Sequence, residues 1–213
     1  SVRFYNLSQG YKKIFDERVL CFRAKDKAGN FRTLDGFSPN HHTSDYTEGT
    51  PWQYLWLVPH DVNGLIEMLG GKEKAEARLD SLFLASSQLN ADANPDISGL
   101  IGQYAHGNEP SHHTLYIYNY IGQPDKTSRR VHEILTTMYT DKPDGICGNE
   151  DVGQMSAWYL MSAMGLYQVE PCGGVYQLSA PLVREASFDV PGGKTFTIRT
   201  KGKGAVVKRW KLN

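Results

Sequence analysis

The residues of this chain best suited to chemistry are carboxylates set beside Trp, Asn, Gly and Pro instead of among lysines. They fall in three runs: Glu48-Gly49-Thr50-Pro51-Trp52-Gln53-Tyr54, His106-Gly107-Asn108-Glu109-Pro110, and Gly148-Asn149-Glu150-Asp151-Val152-Gly153-Gln154, with Asp45 and Asp61 around the first. A solvated face would scatter its acids among bases. Gly, Pro and Asn shape concave loops, and aromatic neighbours suit sugar rings. Inverting hydrolysis of a glycosidic bond needs such a pair of carboxyl groups, one protonating the leaving oxygen and one ionised to activate water from the opposite face. Nucleophilic Ser or Cys chemistry has less to work with, since no Gly-x-Ser-x-Gly elbow and no recognisable Cys/His motif occurs.

Each run also has a structural reading. Glu48 stands three residues before Pro51-Trp52, where a helix can begin, so the helix macrodipole alone would favour an acid there. Beside Trp52 or Trp56, partial desolvation would instead raise a carboxyl pKa and keep a proton available to donate. The two readings are compatible. Asn108 through His113 places an amide, an acid and two imidazoles within six residues, a density that packing seldom requires. Adjacent histidines on a helix point about 100° apart, so His112 and His113 do not form an i, i+4 metal pair. One ring bonding a hydroxylated ligand, the other structural, is the expectation; a zinc hydrolase using His106, His112 and His113 is a competing one. In the third run, neighbouring acids need compensation from a helix N-terminus, solvent or a hard cation, and amide, carboxylate and backbone oxygens are the ligands calcium takes.

The 213 residues that must hold these runs carry 23 basic and 23 acidic side chains and are 40% apolar, enough to bury a core in one or two domains. Zero net charge gives no electrostatic reason to bind nucleic acid or an anionic membrane. No apolar run approaches the roughly 20 residues that span a bilayer. Cys21, Cys147 and Cys172 are dispersed and odd in number, which leaves no CxxC metal site and at most one disulfide. Helical spacing covers residues 3 to 15. From Asp16 to Pro51 no period is sustained, the mark of an irregular segment kept for a site, and His41, His42, Asp45 and Glu48 lie there.

Leu65, Ile66 and Leu69, then Ala75, Leu79, Leu82 and Phe83, predict an antiparallel helix pair joined by Gly70-Gly71. A loop from Ser86 to Pro110 leads into the aromatic stretch Leu115-Tyr116-Ile117-Tyr118-Asn119-Tyr120. Next comes a helix with Val131, Ile134, Leu135 and Met138 on one face, capped by Asp125 or Thr127. Another carries Met155, Trp158, Tyr159 and Ser162 and ends at Gly165. Beyond Pro171 the period falls to two, so Phe188/Val190 and Phe196/Ile198 form a hairpin around Pro191-Gly192-Gly193, with Ala205-Val206-Val207 as a third strand and sheet continuing to Asn213. The chain begins without a signal-peptide pattern, and both ends read as cuts within a larger fold.

Three ordered signatures resemble the glycoside hydrolase family 92 alpha-mannosidases: Glu48-Gly49-x-x-Trp52-Gln53-Tyr54 with Val58-Pro59-His60-Asp61, Gly107-Asn108-Glu109-Pro110-Ser111-His112-His113, and Gly148-Asn149-Glu150-Asp151-x-Gly153-Gln154-Met155-Ser156-Ala157-Trp158. The likeness extends through Tyr118-Asn119-Tyr120 and Gly165-Leu166-Tyr167. It implies a mainly α fold with a small β segment: an incomplete (α/α)6 barrel over residues 1–170, then C-terminal antiparallel strands over 171–213. It implies a calcium-dependent, inverting exo-alpha-mannosidase, most commonly alpha-1,2-specific, acting on N-glycans or mannans. Glu48 would be the general acid and Asp151 the general base, with Glu109 as the alternative acid. Asn149 stands where some members carry a second acid that helps orient the water, which puts that role in doubt here. The resemblance implies Trp52, His106, Asn108, Glu109, His112, His113 and Asn149 around the sugar, and Asn108, Glu109, Glu150 and Gln154 around the metal. Implied partners are mannose-containing oligosaccharides and a missing N-terminal domain, and the implied setting is secreted or periplasmic in bacteria. Exposed barrel faces would favour self-association. A catalytically inactive carbohydrate-binding or scaffold piece is the alternative.

Overall fold

The computed structural model describes residues 1–212. Among them the chain is helix-rich with four two-stranded antiparallel sheets. It divides into two compact units: Ser1–Thr114 with Cys147–Asn149, and Leu115–Ile146 with the residues from Glu150 onward.

The first unit opens with α1 (Val2–Ser8), which passes into a 3-10 turn over Gln9–Ile14. The helix expected over residues 3 to 15 is thus α-helical only in its first half; Gly10, a poor helix former, lies where the coil tightens. Strands β1 (Phe15–Asp16) and β2 (Cys21–Phe22) pair next. One buried cation then organises the aperiodic segment. Arg23 is ion-paired with Asp16, and its Nη2 donates to the carbonyls of Arg32 at 2.8 Å and Thr33 at 2.6 Å. Arg18 grips the same carboxylate with two further bonds. These guanidinium contacts, Arg18 foremost, hold the Asp16 carboxyl well below the usual range although burial opposes them.

Helix α2 (Pro51–Tyr54) is a single turn with a complete capping box between Thr50 and Gln53 and Pro51 near its start. Helix α3 (Val62–Met68) is capped by Asp61, whose Oδ1 accepts from the Gly64 N–H at 3.0 Å. Asp61 Oδ2 also accepts from the Tyr11 hydroxyl at 2.8 Å and the Gln9 amide at 3.1 Å. Asp45 pairs with Arg32 at 2.6 Å. Both flanking acids therefore have structural tasks. Helix α4 (Lys72–Leu84) buries Ala75, Leu79, Leu82 and Phe83, the face its spacing predicts, and it packs with α3 across Gly70 and Gly71. A hairpin of β3 (Leu100–Ile101) and β4 (Tyr104–Ala105) interrupts the 86–110 loop. Two-residue strands carry too little alternation to be read from sequence. Their turn needs Gly102, at φ 59°, where a Cβ would run into the Leu82 carbonyl.

The second unit is built on α5 (Ile117–Ile121), α6 (Pro124–Thr137) and α7 (Gln154–Ala163). Helix α6 buries Val131, Ile134 and Leu135, and α7 buries Met155, Trp158 and Ser162. Gly165, at φ 78°, follows the end of α7. The cap of α6 differs from expectation. Pro124 opens the helix and leaves Gln123 as N-cap, so Asp125 falls in the first turn, where its charge still suits the macrodipole. Thr127 Oγ1 is turned to the Leu115 carbonyl at 3.1 Å.

Strands β5 (Leu166–Tyr167) and β6 (Gln177–Leu178) form another ladder too short to be read from sequence. The expected hairpin is present as β7 (Glu185–Val190) and β8 (Lys194–Arg199), with Phe188 opposite Phe196. Ala205-Val206-Val207 is not a strand. Gly202 and Gly204 adopt positive φ between it and β8, and no sheet forms from residue 200 to 212. The expectation for Asn213 lies outside the described residues. The three cysteines are free. Among the described residues no helix is long and apolar enough to cross a membrane.

Candidate active site

Each part of the first run helps to hold Glu48, which is half-buried. Its backbone N–H donates to the Tyr54 hydroxyl at 3.2 Å, and the Tyr54 ring lies against Gly49 so closely that a Cβ there would collide with it. Thr50 and Gln53 close the capping box, and Gln53 Nε2 donates to the Gln103 carbonyl at 2.6 Å. Trp52 is 7% exposed. Its Nε1 donates to Asn40 Oδ1 at 2.8 Å, and the Arg78 guanidinium sits 3.8 Å from its ring centroid. The indole therefore fixes the start of α2.

The second run supplies the partner of Glu48. An Asn ahead of a helical turn normally caps it, yet Asn108 makes no side-chain bond to the 3-10 turn Glu109–Ser111. Its Nδ2 donates instead to the Glu48 carbonyl at 2.9 Å and reaches Glu48 Oε2 at 3.3 Å. Asn108 is 4% exposed, so this amide is a fixed donor that orients the carboxyl group. Glu109, half-buried, opens the turn itself.

His106, His112 and His113 are buried. His112 Nε2 lies 2.9 Å from the His106 carbonyl and His113 Nε2 lies 2.6 Å from the Trp56 carbonyl; carbonyls only accept, so each ring carries its proton on that nitrogen. His106 Nδ1 shares a 2.8 Å bond with the Tyr104 hydroxyl. Burial pushes all three pKa values down, that of His112 to about 4. The neutral His112 ring thus ties the turn that follows Glu109 back to the His106 carbonyl, and His113 ties it to the carbonyl of Trp56.

Gly107 and Gly148, each just ahead of an Asn, meet backbone to backbone in the first unit. A Cβ on Gly148 would strike the Gly107 carbonyl, and one on Gly107 would strike Ser98 Oγ and the Cys147 carbonyl. Both runs need glycine there because the two loops touch. Asn149 follows, exposed, with its Nδ2 on Asp96 Oδ1 at 3.1 Å. Composition and spacing single out neither Asp96 nor these glycine contacts, since both are made between distant loops.

In the second unit, Asp151 and Val152 have φ of 49° and 57°, followed by Gly153 at 94°. A β-branched residue in the left-handed region is a genuine outlier, and such positions cost about 1–3 kcal/mol each. Both side chains are exposed. The strained turn is anchored by Glu150, whose carboxylate accepts from Ser156 N–H at 3.0 Å and Ser156 Oγ at 2.9 Å. Glu150 thereby acts at the start of α7, where Gly153 offers no side chain to cap. Gln154 is the first residue of that helix.

Among the described residues no group of three or more His, Cys, Asp or Glu is gathered to hold a metal ion. The zinc reading loses force because ring nitrogens of His112 and His113 are committed to carbonyls. The oxygens of Asn108 and Glu109 match in kind the hard donors of calcium, and sugar hydroxyls and water would have to complete its about six to eight ligands.

The sequence model of the glycosyl hydrolase family 92 catalytic domain matches residues 1–213. The chain belongs to this family. Among solved structures, the family 92 chain is similar to a GH92 alpha-mannosidase from Bacteroides thetaiotaomicron in complex with mannoimidazole, at 36% identity and a TM-score of 0.81, over 91% of this chain and 26% of that one. It is also similar to a GH92 inverting mannosidase from Bacteroides thetaiotaomicron VPI-5482, at 36% identity and a TM-score of 0.80, over 95% of this chain and 28% of that one. A curated relative described as an uncharacterized secreted glycosidase of Arthroderma benhamiae is 30% identical over 217 residues, which cover 99% of this chain and 24% of the relative. The family 92 chain thus spans about a quarter of the length of these relatives.

Proposed function

We propose that the chain is part of a calcium-dependent, inverting exo-alpha-mannosidase that releases alpha-1,2-linked mannose from N-glycans or mannans, with Glu48 as general acid and Asp151 as general base. The observation that carries this reading is Asn108, which gives up a helix cap to hold the Glu48 carboxyl group in place. Glu48, oriented by that amide, would deliver its proton to the leaving oxygen, and Asp151 would take a proton from the attacking water. Asn108 and Glu109 would hold calcium, which when bound would supply a hard cation for vicinal sugar hydroxyls. Glu150 is better read as the anchor of the α7 turn than as a metal ligand, and Gln154 stays a candidate. In this reading the helices form part of an (α/α)6 barrel, the remaining three quarters of a relative-sized protein would contribute an N-terminal domain, and the enzyme is secreted, as the name of the fungal relative says of that protein.

Linkage-defined mannobiosides test the substrate and metal parts together in the full-length protein. Expected are fastest hydrolysis of the alpha-1,2 isomer and loss of activity with a chelator, restored by calcium but not by zinc. Equal rates on all linkages would remove the linkage assignment, and indifference to the chelator would remove the calcium.

A further inference from the structure

The second unit carries an open groove of about 400 Å³, a size usual for small-molecule sites, and none of its lining residues belongs to the three carboxylate runs. Asp125 and Ser128 stand three residues apart on α6 and so share one of its faces. Asn119 comes from α5, in the Tyr118-Asn119-Tyr120 stretch to which the chemistry above gives no task. Tyr176 stands just ahead of β6, and Trp210 belongs to the irregular segment after β8. The polar groups of this groove are incomplete. Asn119 Nδ2 donates to the Leu178 carbonyl at 3.0 Å, while its Oδ1 is closed off from water and, among the described residues, accepts nothing. A buried acceptor in that state costs stability until a donor reaches it. Ser128, 4% exposed, accepts the Ala180 N–H at 3.1 Å through Oγ, so its O–H is what it has left to offer. Beside them Tyr176 and Trp210 are 49% and 46% exposed, two large rings left half open.

A donor, an acceptor and the Asp125 carboxylate next to two aromatic faces suit a ligand with hydroxyls on its edge and C–H bonds on its face, which is the build of a pyranose. Among the described residues no Lys, Arg or His lines the groove, so nothing there neutralises a phosphate or carboxylate. A cation is disfavoured as well, because Lys126, Lys208, Arg209 and Lys211 are each next in sequence to a lining residue. We propose that this groove is a second carbohydrate-binding site, which holds a neutral mannose chain by stacking on Tyr176 and Trp210 and by hydroxyl bonds to Asn119, Ser128 and Asp125. The neutral sugar follows from the groove alone; the choice of mannose rests on the function proposed above. Entry requires only an opening on the scale of a side chain beside Asn119, a change common on binding.

The test uses the full-length protein, with polymeric alpha-mannan set against an alpha-mannobioside, and reads binding as retardation in gels that contain the mannan. Trp210→Ala and Tyr176→Ala should each weaken binding about tenfold, and Trp210→Phe, which keeps an aromatic face, should weaken it less. KM for mannan should rise with the loss, while kcat/KM on the mannobioside stays within about twofold. The proposal is overturned if both Ala variants are retarded as strongly as the wild type. It is overturned equally if their retardation is unchanged and only Tm falls, because the rings then pack against another part of the protein, or if mannobioside hydrolysis drops as far as mannan binding. A wild type that is retarded by mannan but leaves the mannobioside intact removes the mannosidase reading and keeps this site; hydrolysis by the wild type with equal retardation of all variants removes this inference alone.

Discussion

In the full-length protein, Asp151→Asn is expected to lower kcat by about 10³-fold on an alpha-mannobioside and on an aryl alpha-mannoside alike, within the usual range for a general base. An amide has nearly the shape of the carboxylate but cannot take the proton that water must lose. Leaving-group chemistry does not help, because the base acts on the other face of the sugar. Glu48→Gln should behave differently. Its loss is large on the mannobioside, whose sugar oxygen needs protonation to depart, and much smaller on an aryl mannoside with an acidic phenol. The structural grounds differ as well. Glu48 is held by Asn108 and by the Tyr54 hydroxyl on its own N–H, whereas Asp151 sits on a turn with two successive non-glycine residues at positive φ. Strain of that kind persists only where surrounding structure enforces it. Steady-state kinetics on the two substrates checks the pattern; turnover of Asp151→Asn within tenfold of wild type on both would contradict the base assignment.

Acid should begin to destabilise the protein as soon as the pH falls below about 6.5. A buried neutral histidine takes up a proton near pH 6.5 in the unfolded chain, but in the folded protein only at its lower pKa. Stability that is complete above pH 6.5 is therefore lost progressively as pH falls toward the folded value. Burial lowers the His112 pKa from 6.5 to about 4, which corresponds to about 2 kcal/mol lost by pH 5 and about 3 kcal/mol by pH 4. His106 and His113 shift in the same direction for the same cause and add to the loss. The window of Asp16 lies lower, because a depressed carboxyl loses its contribution only below the ordinary value of 3.8. Thermal melts at pH 7.5 and pH 5 should show a clear fall in Tm. His112→Gln, which keeps an N–H to donate to the His106 carbonyl, should flatten that dependence. An unchanged or higher Tm at pH 5 would contradict the buried, neutral state of these rings.

Sequence and structure agree most closely where a pattern repeats over a whole element. The apolar faces of α4, α6 and α7 and the Phe188/Phe196 hairpin follow from periodicity because each element is long enough to show its period. The ladders at Leu100–Ala105 and Leu166–Leu178 are invisible to that reading, as two residues establish no alternation. Ala205-Val206-Val207 has strand composition but, among the described residues, no partner strand, and composition alone cannot supply one. At the candidate site, the residue types around Glu48 and Asn108 indicate sugar chemistry, and their order indicates the family. What the sequence conceals is how the motifs support each other. Trp52, expected at the sugar, is enclosed by Asn40 and Arg78. Of the histidines expected near a ligand, His112 and His113 bond backbone carbonyls and His106 bonds the Tyr104 hydroxyl. Asp96, unremarkable in sequence, holds Asn149 from a loop 53 residues away. Such roles depend on contacts between distant loops, which no local spacing encodes.

Whether Glu48 and Asp151 serve as the acid and base of an inverting mannosidase is tested most directly by proton NMR of the first turnovers of the full-length protein on an alpha-mannobioside. Attack by water from the face opposite the leaving group predicts that beta-mannose appears first and only later equilibrates with the alpha anomer; alpha-mannose as the first product would contradict the account.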